Sequence, residues 1–264
     1  MAGSNPRFGD LRTLSSLAPP SVEGPRMRIL KWLALGLVVV VGLAFAGWYF
    51  FLKSDPEPRV AIEDTPVVTE ATESGSTGTT TAGARGLDGT YSVEQGSSSN
   101  FVGYRVTEKL FANVPESTAT GRTNNVTGTL TIAGTTVNGV TVTADLRNLT
   151  SDNSMRDGRI RDQGLESNRF PEAKFVLTTP ITLSALPAAG ETIKVDGTGD
   201  FTLHGVTKKV TIPLEARWDG KAIQVIGTLP VVFGDYNISA PSSPLVASID
   251  DHAEMEFKLF FAKA

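Results

Sequence analysis

Residues 199–216 read "GDFTLHGVTKKVTIPLEA", and their rhythm decides the fold. Phe201 and Leu203 fall on one side and Thr202 and His204 on the other; Val210, Ile212 and Leu214 then resume the alternation after Gly205. Two period-two runs interrupted at His204-Gly205 are two strands joined at a tight corner, with glycine supplying the permissive backbone. His204 is one of only two histidines, and the chain has no cysteine. The motif offers His204 no acid, nucleophile or second ligand, so it is expected to hydrogen-bond a loop backbone. His252 follows Asp250-Asp251 ahead of the last strand and is expected at the surface or as a cap.

The same rhythm extends in both directions. "VTGTLTIAG" sets Val126, Gly128, Leu130 and Ile132 on one face, and "GVTVTADL" does so with Val140, Val142, Ala144 and Leu146. "AIQVIGTL" and "AEMEFKLFF" alternate in the same way through Ile223 to Leu229 and Met255 to Phe261. With "YSVEQ" and "NFVGYRV" this makes about eight or nine short-turned strands. "NSMRDGRIRDQGLES" breaks the rule, with helical spacing at Met155, Ile160 and Leu165. Many short strands with one helical insertion predict an all-β antiparallel fold. Glycines inside the strands (Gly128, Gly197, Gly199, Gly227) mark places where a sheet bends sharply or another group approaches closely, which favours a closed barrel over a sandwich.

Upstream, residues 32–52, "WLALGLVVVVGLAFAGWYFFL", contain no charge in 21 positions. As a helix this stretch is about 30 Å long, the thickness of a bilayer core. Arg26, Arg28 and Lys31 before it outweigh Lys53 and Arg59 after it, which predicts a cytoplasmic N-terminus and an extracytoplasmic C-terminal mass. Ala44-Phe45-Ala46 also has the form of a signal-peptide cleavage site, and on either reading the remainder is exported. Residues 53–90 are rich in Thr, Gly, Ser and acids, too polar to bury a core, and are expected to be a disordered tether spanning about 35 Å. The expected organisation is therefore a tail (1–31), a transmembrane helix (32–52), a linker (53–90) and a barrel domain (91–264).

A formal net charge of −4 argues against nucleic acid as a partner. There is no Gly-x-Ser-x-Gly elbow, no His-Glu-x-x-His and no phosphate loop, so no catalytic residue is assigned and the chain is not read as an enzyme. The lack of cysteine and the pair of histidines leave no metal site to assign.

"GDFTLHGVTKKVTI" resembles the signature of the YceI-like family, the lipocalin-like polyisoprenoid-binding proteins. "YSVEQGSSSNFVGYRV" resembles the family's opening strand pair, Met155-Arg156-Asp157 with Leu165 its Arg-Asp helix, and "NRFPEAKFVLTT" its Phe-Pro segment. The resemblance implies an extended eight-stranded antiparallel barrel with a short helical insertion, around an elongated apolar cavity. It also implies a long isoprenoid or quinone-like lipid as ligand, with no other cofactor. Leu130, Phe175, Phe201, Leu203 and Phe257 are expected to line that cavity, and Leu165 and Phe170 to close its mouth; ordinary core packing is the competing reading for each. Arg156 and Asp157 either hold the insertion against the barrel rim or meet a polar ligand head. The expected function is a membrane-anchored extracytoplasmic binding protein for an apolar lipid; the alternative is a structural or stress-associated envelope protein without a ligand.

Overall fold

The computed structural model describes residues 36–43, 56–62, 87–94, 97, 99–110, 116–242 and 246–264. Residues 1–52 and 53–264 form two separate units. In the first, residues 36–43 are helical; the remainder of the expected span 32–52, like the tail 1–31, lies outside the described residues. Among the described residues no helix is long and apolar enough to cross a membrane.

The second unit carries the sheet. Its strands are β1 (Gly89–Val93), β2 (Phe101–Leu110), β3 (Ser117–Thr123), β4 (Val126–Ala133), β5 (Thr136–Asp145), β6 (Thr150–Ser151), β7 (Glu172–Leu177), β8 (Ile181–Thr182), β9 (Thr192–Leu203), β10 (Val206–Trp218), β11 (Ala222–Val232), β12 (Val246–Ile249) and β13 (His252–Lys263). Eight of them, in the order β1-β4-β5-β7-β9-β10-β11-β13, form an antiparallel ring that closes where Tyr91 pairs with Lys263 and Val93 with Phe261. The expected barrel is thus observed, with its edges removed by closure.

The barrel is extended because two staves continue as second strands. β13 pairs with β1 near its C-terminus and with β2 near its N-terminus, where Met255 faces Tyr104 and Phe257 faces Val102. β3 in turn pairs with β2, and β4 with β1. The break between β1 and β2 is stitched by Asn100, 1% exposed, whose side-chain amide donates to the Glu94 carbonyl (2.7 Å) and accepts from the Phe260 N–H (2.6 Å). A side chain here replaces the missing ladder partner, which keeps β13 satisfied across the gap.

The helical insertion runs from Ser154 to Arg159 and widens into a π-turn over Ile160–Gly164. Asn153 caps its start, accepting from the Met155 and Arg156 N–H groups. Asp157 binds it to β6 by accepting from the Ser151 N–H (2.9 Å) and hydroxyl (2.6 Å). Asp157 therefore holds the insertion on the barrel rim.

Residues 56–62 lie inside the stretch expected to be a free linker, yet they rest on the barrel's outer wall. The Glu57 N–H donates to Thr120 Oγ1 (3.1 Å), Arg105 donates to the Glu57 carbonyl (2.6 Å), and Arg122 donates to the Pro58 carbonyl (2.8 Å). Residues 63–86 lie outside the described residues.

Candidate functional site

The interior of the barrel follows from the alternation. In β9, Gly197, Gly199, Phe201 and Leu203 are buried while their neighbours are not, the inward set the sequence predicts. Gly199 and Gly227 make room for aromatic rings, Gly197 for the Leu214 side chain, and Gly128 for Val93 and Val142. A Cβ at Gly199 would stand 2.6 Å from the Phe175 ring, and one at Gly227 would stand 2.7 Å from the Phe257 ring. Large and small inward residues thus interlock across neighbouring strands, and the close approach read from the glycines is made by the protein's own side chains.

The bore is not filled. It holds two chambers of about 140 and 120 Å³. The first is walled by side chains such as Leu130, Phe175, Leu214, Trp218 and Phe257; Arg217, near the β10–β11 turn, is its charged member. The second lies toward the helical insertion and is walled by Leu146, Ile160, Leu165, Leu203 and Val231 among others. Val102, Ala173, Phe201 and Met255 border both chambers, so the two lie end to end across a waist made by these four side chains.

The expected lining residues divide accordingly. Leu130, Phe175 and Phe257 line the first chamber, Leu165 and Leu203 the second, and Phe201 both. Phe170 is placed elsewhere and borders neither chamber. Its ring packs on His204 with centroids 4.3 Å apart and covers Gly205, where a Cβ would come within 2.8 Å. Phe170 precedes β7, so the strand alternation does not reach it, and the bare turn glycine gives its ring a seat outside the bore.

His204 forms the other half of that turn. His204 (φ 51°) and Gly205 (φ 74°) are both left-handed, the pairing a two-residue hairpin turn requires. His204 Nδ1 lies 3.0 Å from the Tyr236 carbonyl, and Nε2 stands 3.6 Å from Glu166. The residues after β11 are thereby held over the end of the barrel, where Tyr236 packs edge-on against Phe201 at 5.8 Å. His204 positions backbone; His252 lies at the surface, 2.8 Å from Asp251.

Sequence reasoning missed the charged cluster that lies behind the apolar lining of the second chamber. β2 directs Val102, Tyr104, Val106 and Glu108 to it, and the rim helix adds Arg156. Arg156 pairs with Asp152 (2.5 Å) and with the buried Glu108 (3.4 Å). Burial opposes the charge on Arg156, but Glu108, Tyr104 and Asp152 outweigh it and hold its pKa above the ordinary value. Burial pushes the Tyr104 phenol well above its usual range. The signal was present in "FVGYRVTEKL", whose alternation puts Tyr104 and Glu108 on the same face as Val102.

Comparison with known proteins agrees with this architecture. A UPF0312 protein of Vibrio vulnificus is 33% identical over 121 residues, 44% of this chain and 61% of its own length. A UPF0312 protein of Pseudomonas putida is 33% identical over 111 residues, 39% of this chain and 54% of its own. The matched region thus spans little more than half the length of these relatives. A solved polyisoprenoid binding domain from Saccharophagus degradans, implicated in plant cell wall breakdown, superposes with a TM-score of 0.53 at 22% identity, over 66% of this chain and 98% of that one. That likeness is one of fold. The profile of the YceI-like domain matches residues 91–261, the whole barrel from β1 to β13, and the chain belongs to the YceI-like domain family.

Proposed function

We propose that this chain is a membrane-tethered, extracytoplasmic binding protein that holds an isoprenoid-type or similar long apolar lipid in its bore. The observation that carries the reading is the pair of apolar chambers meeting end to end at Val102, Ala173, Phe201 and Met255. An isoprenoid tail offers almost no hydrogen-bonding groups, so its affinity comes from apolar surface removed from water, about 0.8 kcal/mol per buried CH₂. A preformed apolar bore suits such a ligand. The Saccharophagus domain of the same fold is described as binding polyisoprenoids, which supports this choice of ligand class.

Each chamber alone is about the size of an engineered cavity that takes up benzene, ~150 Å³. A long chain must therefore thread both, and the waist must part for it. Met255 is the side chain suited to this, being unbranched and adaptable. Tethering rests on the uncharged stretch 32–52 and the basic residues ahead of it.

Solvent extraction of the purified full chain followed by mass spectrometry tests the ligand. A long apolar lipid in the extract is expected. An empty extract, together with no uptake of an added C20 isoprenoid, would sink the reading. Alkaline washing of membranes tests the tether: the full chain should stay in the pellet and a chain starting at residue 53 should wash off.

A further inference from the structure

We infer that the bore is entered at the first chamber's end, and that the uncharged lip there, the β4–β5 turn with residues 178–190, docks on a lipid bilayer. This rests on the lipid-binding reading above and names the surface from which the ligand is taken.

Charge is spread unevenly over the two ends of the barrel. Residues 123–144 and 175–190 contain no Asp, Glu, Lys, Arg or His. β8 draws these two stretches together: Thr136 pairs with Thr182, Val137 with Ile181, and the Leu183 N–H donates to the Thr135 carbonyl (2.9 Å). They form one continuous lip. Two acids that border it are turned onto its backbone, Asp88 accepting from the Gly134 N–H (2.5 Å) and Glu191 from the Ala188 N–H (2.8 Å). Asp219 and Lys221 lie further round the ring, on the β10–β11 turn. The opposite end is densely charged. The helical insertion carries Arg156, Asp157, Arg159, Arg161 and Asp162, and Lys208 pairs with Asp235 at 2.6 Å. A charge pressed against a bilayer loses hydration, so the charged end resists that contact and the lip does not.

The apolar lining runs out to this lip. Val137, Ile181, Leu183, Pro187, Ile193 and Trp218 all line the first chamber, yet each is only half-buried. The opposite end is closed by hydrogen bonds: His204 holds the Tyr236 carbonyl, and the Ser242 N–H donates to the Gln163 side chain (3.3 Å). At the lip, Leu186 packs on the apolar cluster around the first chamber. Residues 184–187 make no hydrogen bond with the other described residues and are tied only at their flanks, through Leu183 and Ala188. A segment so lightly held opens at low cost. An apolar chain that crossed water to reach the bore would expose every CH₂ on the way, and an entrance seated on the bilayer spares that exposure.

The test uses the full chain reconstituted in phosphatidylcholine vesicles that contain a minor fraction of spin-labelled phosphatidylcholine. The chain has no cysteine, so Ala185→Cys in the lip and Ala247→Cys on β12 each give a single labelling site, and both positions are exposed. β12 pairs with β2 at Glu108, at the charged end. An interfacial contact sinks about 5–10 Å into the headgroup boundary, so a fluorophore at 185 is expected to be quenched at least about twofold more than one at 247. Uptake is followed with tritiated phytane supplied in the same vesicles, the chain being captured and counted at intervals. Ala185→Glu should slow uptake about 3- to 10-fold with the Tm and the final amount bound unchanged, and Ala247→Glu should alter none of the three. Equal quenching at the two sites, stronger quenching at 247, or none at either overturns the docking lip while lipid binding stands. An unchanged rate for Ala185→Glu overturns it as well. If phytane is not taken up at all, the lipid-binding reading fails and the entrance falls with it, whatever the quenching shows.

Discussion

β13 has two faces that reverse the usual relation between direction and burial. Inward, all four of Met255, Phe257, Leu259 and Phe261 border the unfilled bore; Leu259 (2% exposed) and Phe261 (1%) are buried, while Met255 and Phe257 are only partly so. Outward, between those two, Glu256 is 0% exposed. Arg105 and Arg122 cover it at 3.4 and 3.0 Å, and residues 56–62 lie over the arginines through Glu57 and Pro58. Phe101 joins this outer layer beneath the Arg122 guanidinium, 3.9 Å from its ring centre. The lesson is that strand parity sets which way a side chain points, while the neighbours it meets set whether water reaches it. The inner face stays loosely packed where a guest is proposed; the outer face is sealed by an ionic cluster.

Four measurements break or sharpen this contrast. The largest effect is expected from Glu256→Ala, which strands two poorly solvated guanidiniums; it should cost about 3 to 5 kcal/mol in denaturant unfolding. A cost under 1 kcal/mol would mean that the outer layer is fluid. On the inner face, Met255→Ala should cost only about 1 to 2 kcal/mol, below the usual range for a core methionine, because its side chain already borders a void. The same change should widen the waist and speed lipid uptake.

The third measurement is of pH. The folded-state pKa of Tyr104 lies above its unfolded value near 10, so the folded form holds the phenolic proton more tightly. Stability should be insensitive to this group below about pH 10 and fall as pH rises beyond it. Glu108, Asp152, Asp157 and Arg156 are the charged groups that act on Tyr104. Tyr104→Phe should flatten part of the alkaline fall in Tm; an unchanged slope would place the loss elsewhere. The smallest effect is expected at the exposed end of the outer layer. Arg59 pairs with Glu254 at 2.7 Å but is 66% exposed, and Arg59→Ala should cost no more than about 0.5 kcal/mol, less still in high salt.

Much of the fold was legible because alternation is a local property. The hairpin at His204-Gly205 could be read from a break in the rhythm, and the inward set of β9 from its parity. The in-strand glycines were legible as sites of close approach, although which side chains approached them was not. The cavity site was legible in part: Leu130, Phe175, Phe201, Leu203, Phe257 and Leu165 border the chambers. Phe170 does not, since nothing local distinguishes a ring that enters the bore from one that covers a turn glycine. Tyr104 and Glu108 shared a legible face with Val102. Their role depends on Arg156, 48 positions beyond Glu108, reaching them from the rim helix.

The amino-acid order by itself determined that this is a β-barrel with an apolar interior and one helical insertion, because a period of two and the chemistry of a tight turn act over a few residues. The three-dimensional structure alone decided how much of that interior stays empty, that Asn100 stitches the broken stave, and that Glu256 is sealed from water while Met255 is not. Those outcomes depend on volumes and charges meeting across strands far apart in the chain, and no local pattern encodes the distance at which they meet.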